Sequence, residues 1–388
     1  MTQIKSTSIK RIVVRGTNWV GDAVMTVPAL RKLRALFPAA HITLATRSLT
    51  EGIFIDPDFL DELQLHAHSG ILSTIGQVRE WRKGQFDLAV LFPNSFESAL
   101  VAFLAGVPAR IGYGTDGRRM LLTHPLPQPE WRSTRHEVYY YLEIIDQLAK
   151  ITGVSSPDDS ATHPPDGSLR VSEVRRKAAL DLLDVRAGNP GGKNTPTRPL
   201  IALCPGSINS RAKRWPMERY AALADRLINE LGAEVLLIGS NDELEVSREV
   251  AQLMRGKAVV LTGETDLADA IAILSLVDLL VTNDTGPAHI ASALGRPTLV
   301  IFGPTNPLTT RPFSEVGEIV RHPPDCAPCM LRDCPIDHRC MTAISPEEVF
   351  ERAMAILETS AMSGKRQEVQ SSTFRMPGYE RSKLKLVL

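Results

Sequence analysis

Four strand-end turns carry the residues best suited to chemistry. The first, RGTNWVGD at 15–22, follows an apolar run at 11–14 and precedes a helical pattern. Gly16 and Gly21 let the backbone approach a ligand closely. It is neither a Walker loop nor G-x-G-x-x-G, because a carboxylate, Asp22, stands where a phosphate-binding lysine would follow the second glycine. Two readings fit Asp22 equally on spacing: a general base at a cleft mouth or a helix N-cap. The second turn, CPGSINSRAKRWP at 204–216, gathers Ser207, Ser210, Lys213 and Arg214. Hydroxyls, backbone N–H groups and cations together suit a diphosphate, and a solvated basic loop is the plain alternative. The third, NDTGPAH at 283–289, opens a helix: Gly286 admits close contact and Pro287 fits the first turn. The exposed N–H groups there favour an anion. Asp284 and Thr285 are placed for a phosphate or a sugar hydroxyl, and His289 reads either as a ligand contact or as a hydrogen-bonded core residue. The fourth, GSNDE at 239–243, offers Glu243 or Asp242 to a ribose or Asn241 or Asp242 as an N-cap. A further Gly/Pro turn, FGPTNP at 302–307, ends another strand. Convergence of such turns on one crevice is a stronger signal than any one alone.

Two other groupings need weighing. Cys326, Cys329, Cys334 and Cys340, with His322 and His338 nearby, permit a structural zinc. The spacing is not the symmetrical pattern of a zinc ribbon, and free thiols or an oxidised pair fit as well. Asp56-Pro57-Asp58 spells D-x-D, a string common by chance, and implies no catalytic metal.

The elements that must position these turns alternate regularly. Strands are predicted at 11–14, 41–45 and 88–92, with a helical pattern through Val24, Val27, Leu30, Leu33 and Phe37. A second series has strands at 200–203, 234–238, 279–282 and 298–302 and helices at 217–231, 267–274 and 288–294. Alternation of this kind predicts βαβ units and parallel sheets. Segments rich in Pro, Gly, Ser and Asp at 155–167 and 186–198 flank a helical pattern at 171–183 and mark the junction. The expected organisation is an α/β chain: an N-terminal Rossmann-like domain at 1–153, a linker with a helix at 154–198 and a second such domain at 199–345. A final helix at 346–358 and a disordered polar tail at 359–388 complete it.

Composition sets the limits. The chain has 388 residues, 43% apolar and 23% charged, with 44 basic and 44 acidic side chains. That balance argues against a nucleic-acid binder, and 5% aromatics against stacking platforms for single strands. No apolar run reaches the ~20 residues of a membrane span, and the N-terminus lacks a signal-peptide pattern, so a cytoplasmic protein is expected.

Taken together, the motifs resemble the lipopolysaccharide heptosyltransferases. The carriers are NWVGDAVMTVPALRKL, FPNSFESAL at 92–100, CPGSINSRAKRWP, NDTGPAHIASALGRP, FGPTNP and CAPCMLRDCPIDHRCM at 326–341, in the family's order. AKRWP and the cysteine-rich segment favour its type II branch. The resemblance implies a GT-B fold, with the acceptor bound by the N-terminal domain and ADP-heptose by the C-terminal one. It implies inverting, metal-independent transfer of heptose from ADP-L-glycero-D-manno-heptose to the heptosyl-Kdo2-lipid A inner core. By the same resemblance Asp22 is the base and Lys213 holds the diphosphate. Ser207, Ser210, Glu243, Asp284, Thr285, Gly286 and His289 contact the donor, and Asn18, Trp19, Asn94 and Ser95 face the acceptor. The final helix would cross back to the first domain. Arg118, Arg119, Arg132 and Arg135 read either as contacts to acceptor phosphates or the bilayer surface, or as ordinary surface arginines. No cofactor is implied, and the motifs do not set the oligomeric state. Another heptosyltransferase type, or a non-catalytic nucleotide-sugar-binding protein on this fold, are the alternatives.

Overall fold

The computed structural model describes residues 4–66, 70–155, 164–186 and 198–373, with side chains through residue 360. The first half contributes β1 (Arg11–Arg15), β2 (His41–Arg47), β3 (Glu62–His66), β4 (Leu88–Leu91), β5 (Ala109–Tyr113) and β6 (His124–Leu126). Its helices are α1 (Val20–Met25), α2 (Val27–Leu36), α3 (Ile71–Gly84), α4 (Phe96–Leu104) and α5 (Glu137–Thr152), followed by α6 (Glu173–Arg186). The second half contributes β7 (Leu200–Cys204), β8 (Glu234–Leu237), β9 (Val259–Val260), β10 (Leu279–Asn283), β11 (Thr298–Ile301) and β12 (Gly317–Val320). Its helices are α7 (Met217–Leu231), α8 (Leu244–Leu253), α9 (Leu267–Leu274), α10 (Gly286–Ala293), α11 (Pro307–Thr310), α12 (Arg339–Thr342) and α13 (Pro346–Thr373).

Each half is one six-stranded sheet, ordered β3-β2-β1-β4-β5-β6 and β12-β11-β10-β7-β8-β9. All pairings are parallel. Both therefore have a switch point, between β1 and β4 and between β7 and β10, where the chain reverses its direction across the sheet. Ligands in such sheets bind beyond the carboxyl ends of the strands there. The central strands read as apolar runs because helices cover both faces: β4, β7, β10 and β11 are buried throughout.

The halves are joined by packing. Helix α1 lies against α10, the short helical turn Ser48–Phe54 against α9, and α6 against α9. One apolar core runs from Ile12, Val14 and Leu30 through Ala179 and Leu183 to Ala272, Leu274 and Ile290. Arg175 of α6 pairs with Asp56 at 2.8 Å and donates to the Ala268 carbonyl, tying both halves. Asp58 pairs with Arg31 and Arg170. The Asp56/Asp58 string is thus spent on ion pairs.

Two expectations about the chain's end change. Val349, Phe350 and Ala353 of α13 are buried in the core of the second half, beside α7 and β10. That apolar stripe has its partner in its own half, so the helix does not cross back over its described side chains. The helix also continues to Thr373, through the first part of the segment expected to be a disordered tail. Glu, Ala, Met, Lys, Arg and Gln there are good helix formers. Residues 374–388 lie outside those described, as do parts of the linker at 187–197.

Candidate active site

The two carboxyl edges face each other where α1 meets α10. A Cβ on Gly286 would come within 2.8 Å of Val20 Cγ1, and a Cβ on Gly21 within 3.0 Å of His289 Cδ2. Only glycines allow this approach, which brings the first turn against the third.

Asp22 lies in the first turn of α1, whose N-cap residue is Trp19 with no side-chain cap bond. The carboxylate is therefore not the cap. Among the described residues no hydrogen bond ends on it. Burial pushes its pKa up to about 6, opposed by the charges of Arg132 and Lys213. Glu137 at the start of α5 is also raised, chiefly by burial. A half-buried carboxylate with free oxygens and a pKa near neutrality suits proton abstraction. Arg132 holds Glu137 at 3.2 Å and lies 3.9 Å from the Tyr140 ring centroid. It is the cation set beside Asp22 from the N-terminal side.

On the opposite edge, Asn283 at the end of β10 is fully buried. Its Oδ1 accepts from Trp215 N and Tyr220 Oη, both at 3.1 Å, and its Nδ2 donates to the carbonyls of Pro205 and Gly206 at 2.9 and 3.1 Å. One amide thereby fixes the loop at 204–216 to the turn at 283–289. Asp284 is 4% exposed and accepts from Lys213 Nζ at 2.9 Å and Thr305 Oγ1 at 2.6 Å. Lys213 also donates to the Asp284 carbonyl at 3.1 Å. Asp284 thus positions Lys213, and Thr305 brings in the turn at 302–307. Thr285 is the N-cap residue of α10 without a side-chain cap bond, and its hydroxyl lies 3.3 Å from that of Thr282. His289 is buried, its pKa lowered to about 4 by burial, and its Nδ1 has no partner. It is neutral at physiological pH.

Glu243 completes a capping box with Ser240, accepting from its N–H at 2.8 Å and hydroxyl at 2.9 Å through Oε2. Oε1 faces Gly206, where a Cβ would come within 2.2 Å. Ser207 is buried, and its carbonyl accepts from Arg214 at 2.9 Å. Ser210 turns away from the crevice: its hydroxyl donates to the carbonyls of Leu331 and Arg332.

On the N-terminal edge, Asn94 donates to Tyr140 Oη at 2.9 Å, and Ser95 caps α4 through the Ser98 N–H at 3.3 Å. Trp19 is 51% exposed beside a half-buried Asn18. Arg118 does not reach out: it is fully buried and braces Tyr113 O at 2.8 Å, Ser98 Oγ at 2.9 Å and the Pro93 carbonyl. Arg135 stacks on Tyr139 at 3.7 Å.

The cysteine segment lines a small cavity behind the Lys213 loop. Among the described residues no group of three or more His, Cys, Asp or Glu is arranged to hold a metal ion, so the structural-zinc expectation is not supported. Cys326 is exposed while Cys340 is buried, and burial raises the Cys340 thiol. His338 is occupied, with Nε2 2.6 Å from the Ala212 carbonyl. The segment instead braces the loop, since Ala212 N donates to Arg332 O at 2.9 Å.

Sequence reasoning missed Thr305 and underrated Asn283 and Arg132. Thr305 stood in a recognised turn, but nothing in the string linked it to Asp284.

Two parallel six-stranded sheets facing across a crevice, one edge bearing an unpartnered carboxylate and the other a lysine beside a helix start, form the GT-B architecture of glycosyltransferases. Comparison with known proteins makes this specific. The profile of glycosyltransferase family 9 (heptosyltransferase) matches residues 77–339, and the chain belongs to that family. It is 30% identical over 362 residues to lipopolysaccharide heptosyltransferase 2 of Escherichia coli K12, covering 89% of this chain and 98% of that one. The solved E. coli ADP-heptose lps heptosyltransferase II superposes with a TM-score of 0.75 at 27% identity, over 90% and 99% of the two chains. An E. coli heptosyltransferase solved with ADP-2-deoxy-2-fluoro heptose shares the fold, at TM-score 0.61 and 18% identity over 89% and 99%. No helix among the described residues is long and apolar enough to cross a membrane.

Proposed function

We propose that this enzyme transfers heptose from ADP-L-glycero-D-manno-heptose to the heptosyl-Kdo2-lipid A inner core, inverting the anomeric centre in one displacement. The observation that carries the reading is Asp22, a free carboxylate raised to about 6, set across the α1–α10 contact from Lys213 and the α10 N-terminus. Asp22 takes the proton of the acceptor hydroxyl as that oxygen attacks the anomeric carbon. The glycosidic C–O bond breaks on the opposite face, and charge gathers on the ADP diphosphate. Lys213 and the positive end of the α10 dipole at Gly286 stabilise that charge as it forms. The chain's own cations supply this stabilisation, so the reaction is proposed to need no metal.

The glycines at 206 and 286 let Glu243 and Val20 close in on the turns, and Thr285 and Ser207 lie beside the diphosphate. Glu243 Oε1 is set for a ribose hydroxyl while Oε2 serves the capping box. Ser210 and Asp284 act indirectly, by holding the loop and Lys213. The acceptor meets Asn18, Trp19, Asn94 and Ser95. The relative solved with a fluoro analogue of ADP-heptose supports the donor, and the type 2 relatives support the acceptor.

Localisation is proposed as cytoplasmic, at the inner face of the membrane. Ile71 and Leu72 at the start of α3 are 81% and 86% exposed, and Phe96 at the start of α4 is 48% exposed. Thr74 donates to Glu97 at 3.1 Å, joining these helix starts into one apolar rim beside the acceptor edge. Such a rim suits contact with a lipid-linked acceptor. The boundaries at 1–153 and 199–345 follow the two sheets as proposed acceptor and donor domains.

The test is a transfer assay with ADP-heptose and two core acceptors, one without heptose and one with a single heptose. Transfer to the second alone is expected. Transfer to the first alone points to another family type, and transfer to neither overturns the enzyme reading.

A further inference from the structure

Polar atoms left without partners collect on one face of the N-terminal sheet. Arg15 is 6% exposed, yet its Nε and Nη1 have no hydrogen-bond partner. Arg47 Nε, Thr17 Oγ1 and Gln64 Oε1 are likewise buried and unpartnered. The strand register explains why they meet. Arg15 of β1 lies beside Ala45 of β2, which lies beside Gln64 of β3. Arg47 follows Ala45 by two residues and so shares its face. That is the face of Val13, Ala45 and Leu91, covered by Trp81 of α3 and Ala99 of α4. All lie at the carboxyl ends of the strands, next to the switch between β1 and β4.

Two arginines side by side repel. The charge of Arg47 adds to burial in lowering the Arg15 pKa to about 10, and Glu97 opposes them. Glu97 is engaged by Thr74 and forms no ion pair with either arginine among the described residues. A buried guanidinium without a counter-charge costs several kcal/mol. A fold that retains one has a use for it when a ligand supplies the charge. The planar fork of arginine fits carboxylate and phosphate oxygens in pairs.

We propose that Arg15 and Arg47, with the Thr17 hydroxyl, form an anion subsite that grips a carboxylate or phosphate group of the acceptor saccharide. This rests on the N-terminal edge being the acceptor side. Arg15 immediately precedes the turn that ends in Asp22, so an anion held there fixes the acceptor near the base. The Gln64 carbonyl oxygen, which repels an anion, accepts from a neighbouring sugar hydroxyl.

Wild type, Arg15→Gln, Arg47→Gln and Arg15→Lys are compared in two measurements. In the first, inorganic phosphate is titrated against melting temperature with the donor edge saturated by ADP. Phosphate should raise the melting temperature of wild type and not of either Gln variant, and Arg15→Gln should melt above wild type without phosphate. In the second, the acceptor KM of each Gln variant should rise by about tenfold or more, the loss expected for a charged hydrogen bond, with the KM for ADP-heptose unmoved. Arg15→Lys should fall between, and it carries the comparison if a Gln variant does not fold. Phosphatase-treated and carboxyl-reduced acceptors identify the group: the stripped acceptor that binds wild type as weakly as the variants has lost the anion that is gripped. If transfer proceeds and both Gln variants keep the acceptor KM within about twofold, the subsite is wrong and the function stands. If no acceptor is glycosylated but phosphate still discriminates wild type from the variants, the subsite stands and the function is wrong.

Discussion

The two edges of the crevice are built on opposite plans. On the C-terminal edge the polar groups are largely committed before any ligand arrives. Asn283 makes four hydrogen bonds at full burial, Asp284 holds Lys213 and Thr305, and Glu243 closes a capping box. On the N-terminal edge Asp22, Arg15, Arg47 and Thr17 lack such partners. The C-terminal edge, proposed to meet the diphosphate, gains from fixed dipoles, which need no reorganisation as charge develops. The N-terminal edge, proposed to accept a proton and hold the acceptor, needs groups still free to act, and such groups cost stability.

The strongest way to break this contrast is Asp22→Asn. Transfer should fall by about 10²- to 10⁴-fold, the usual worth of a general base, measured as kcat with saturating substrates. The folded pKa near 6 lies above the ordinary carboxylate value, so the wild-type fold loses stability as pH rises from about 4 to 6. The variant should therefore be more stable at pH 7, by up to about 3 kcal/mol, in denaturant titrations. Loss of activity without that gain would remove the idea that the N-terminal edge is held at a cost.

Lys213→Met should lower kcat by about 10²- to 10³-fold and also destabilise, because Asp284 is left buried with Thr305 alone. That joint loss is the C-terminal signature, opposite in sign of stability to the Asp22 result. Asn283→Ala should cost about 2–4 kcal/mol in chemical unfolding, since it orphans buried partners in the cradle. At neutral pH the smallest effect concerns His289, an exception on the C-terminal edge because its Nδ1 is unpaired. Its lowered pKa means that stability is intact above about 6.5 and is lost as pH falls toward 4. His289→Asn should flatten that acid limb in melting curves taken between pH 7 and 4.

The sequence revealed the centre of each sheet better than its margins. β1, β2, β4, β7, β8, β10 and β11 are apolar runs and were legible as strands. β3 (ELQLH), β6 (HPL) and β9 (VV) are polar or very short edge strands whose pairing comes from their neighbours. β12 is another edge, and β5 (ARIGY) carries a charge and a glycine. The strand-end turns were legible because glycines, prolines and charged residues punctuate apolar runs. What those side chains touch was not. Asp284 and Thr305 are 21 residues apart, the Ser210 hydroxyl is claimed by carbonyls more than a hundred residues later, and Arg118 looked like surface. The cysteine spacing suggested a metal, whereas His338 and the neighbouring backbone serve the Lys213 loop.

The contact of α1 with α10 has a further consequence. Gly21 rests on the His289 ring and Gly286 on Val20, so part of each meeting surface is bare main chain. The spacing between the two edges of the crevice is therefore set on one side of each contact by the polypeptide backbone. Rotamer hopping, which blurs positions set by long side chains, has little purchase on it. The two bare residues act as a gauge block: they set how far apart the halves stand at this contact.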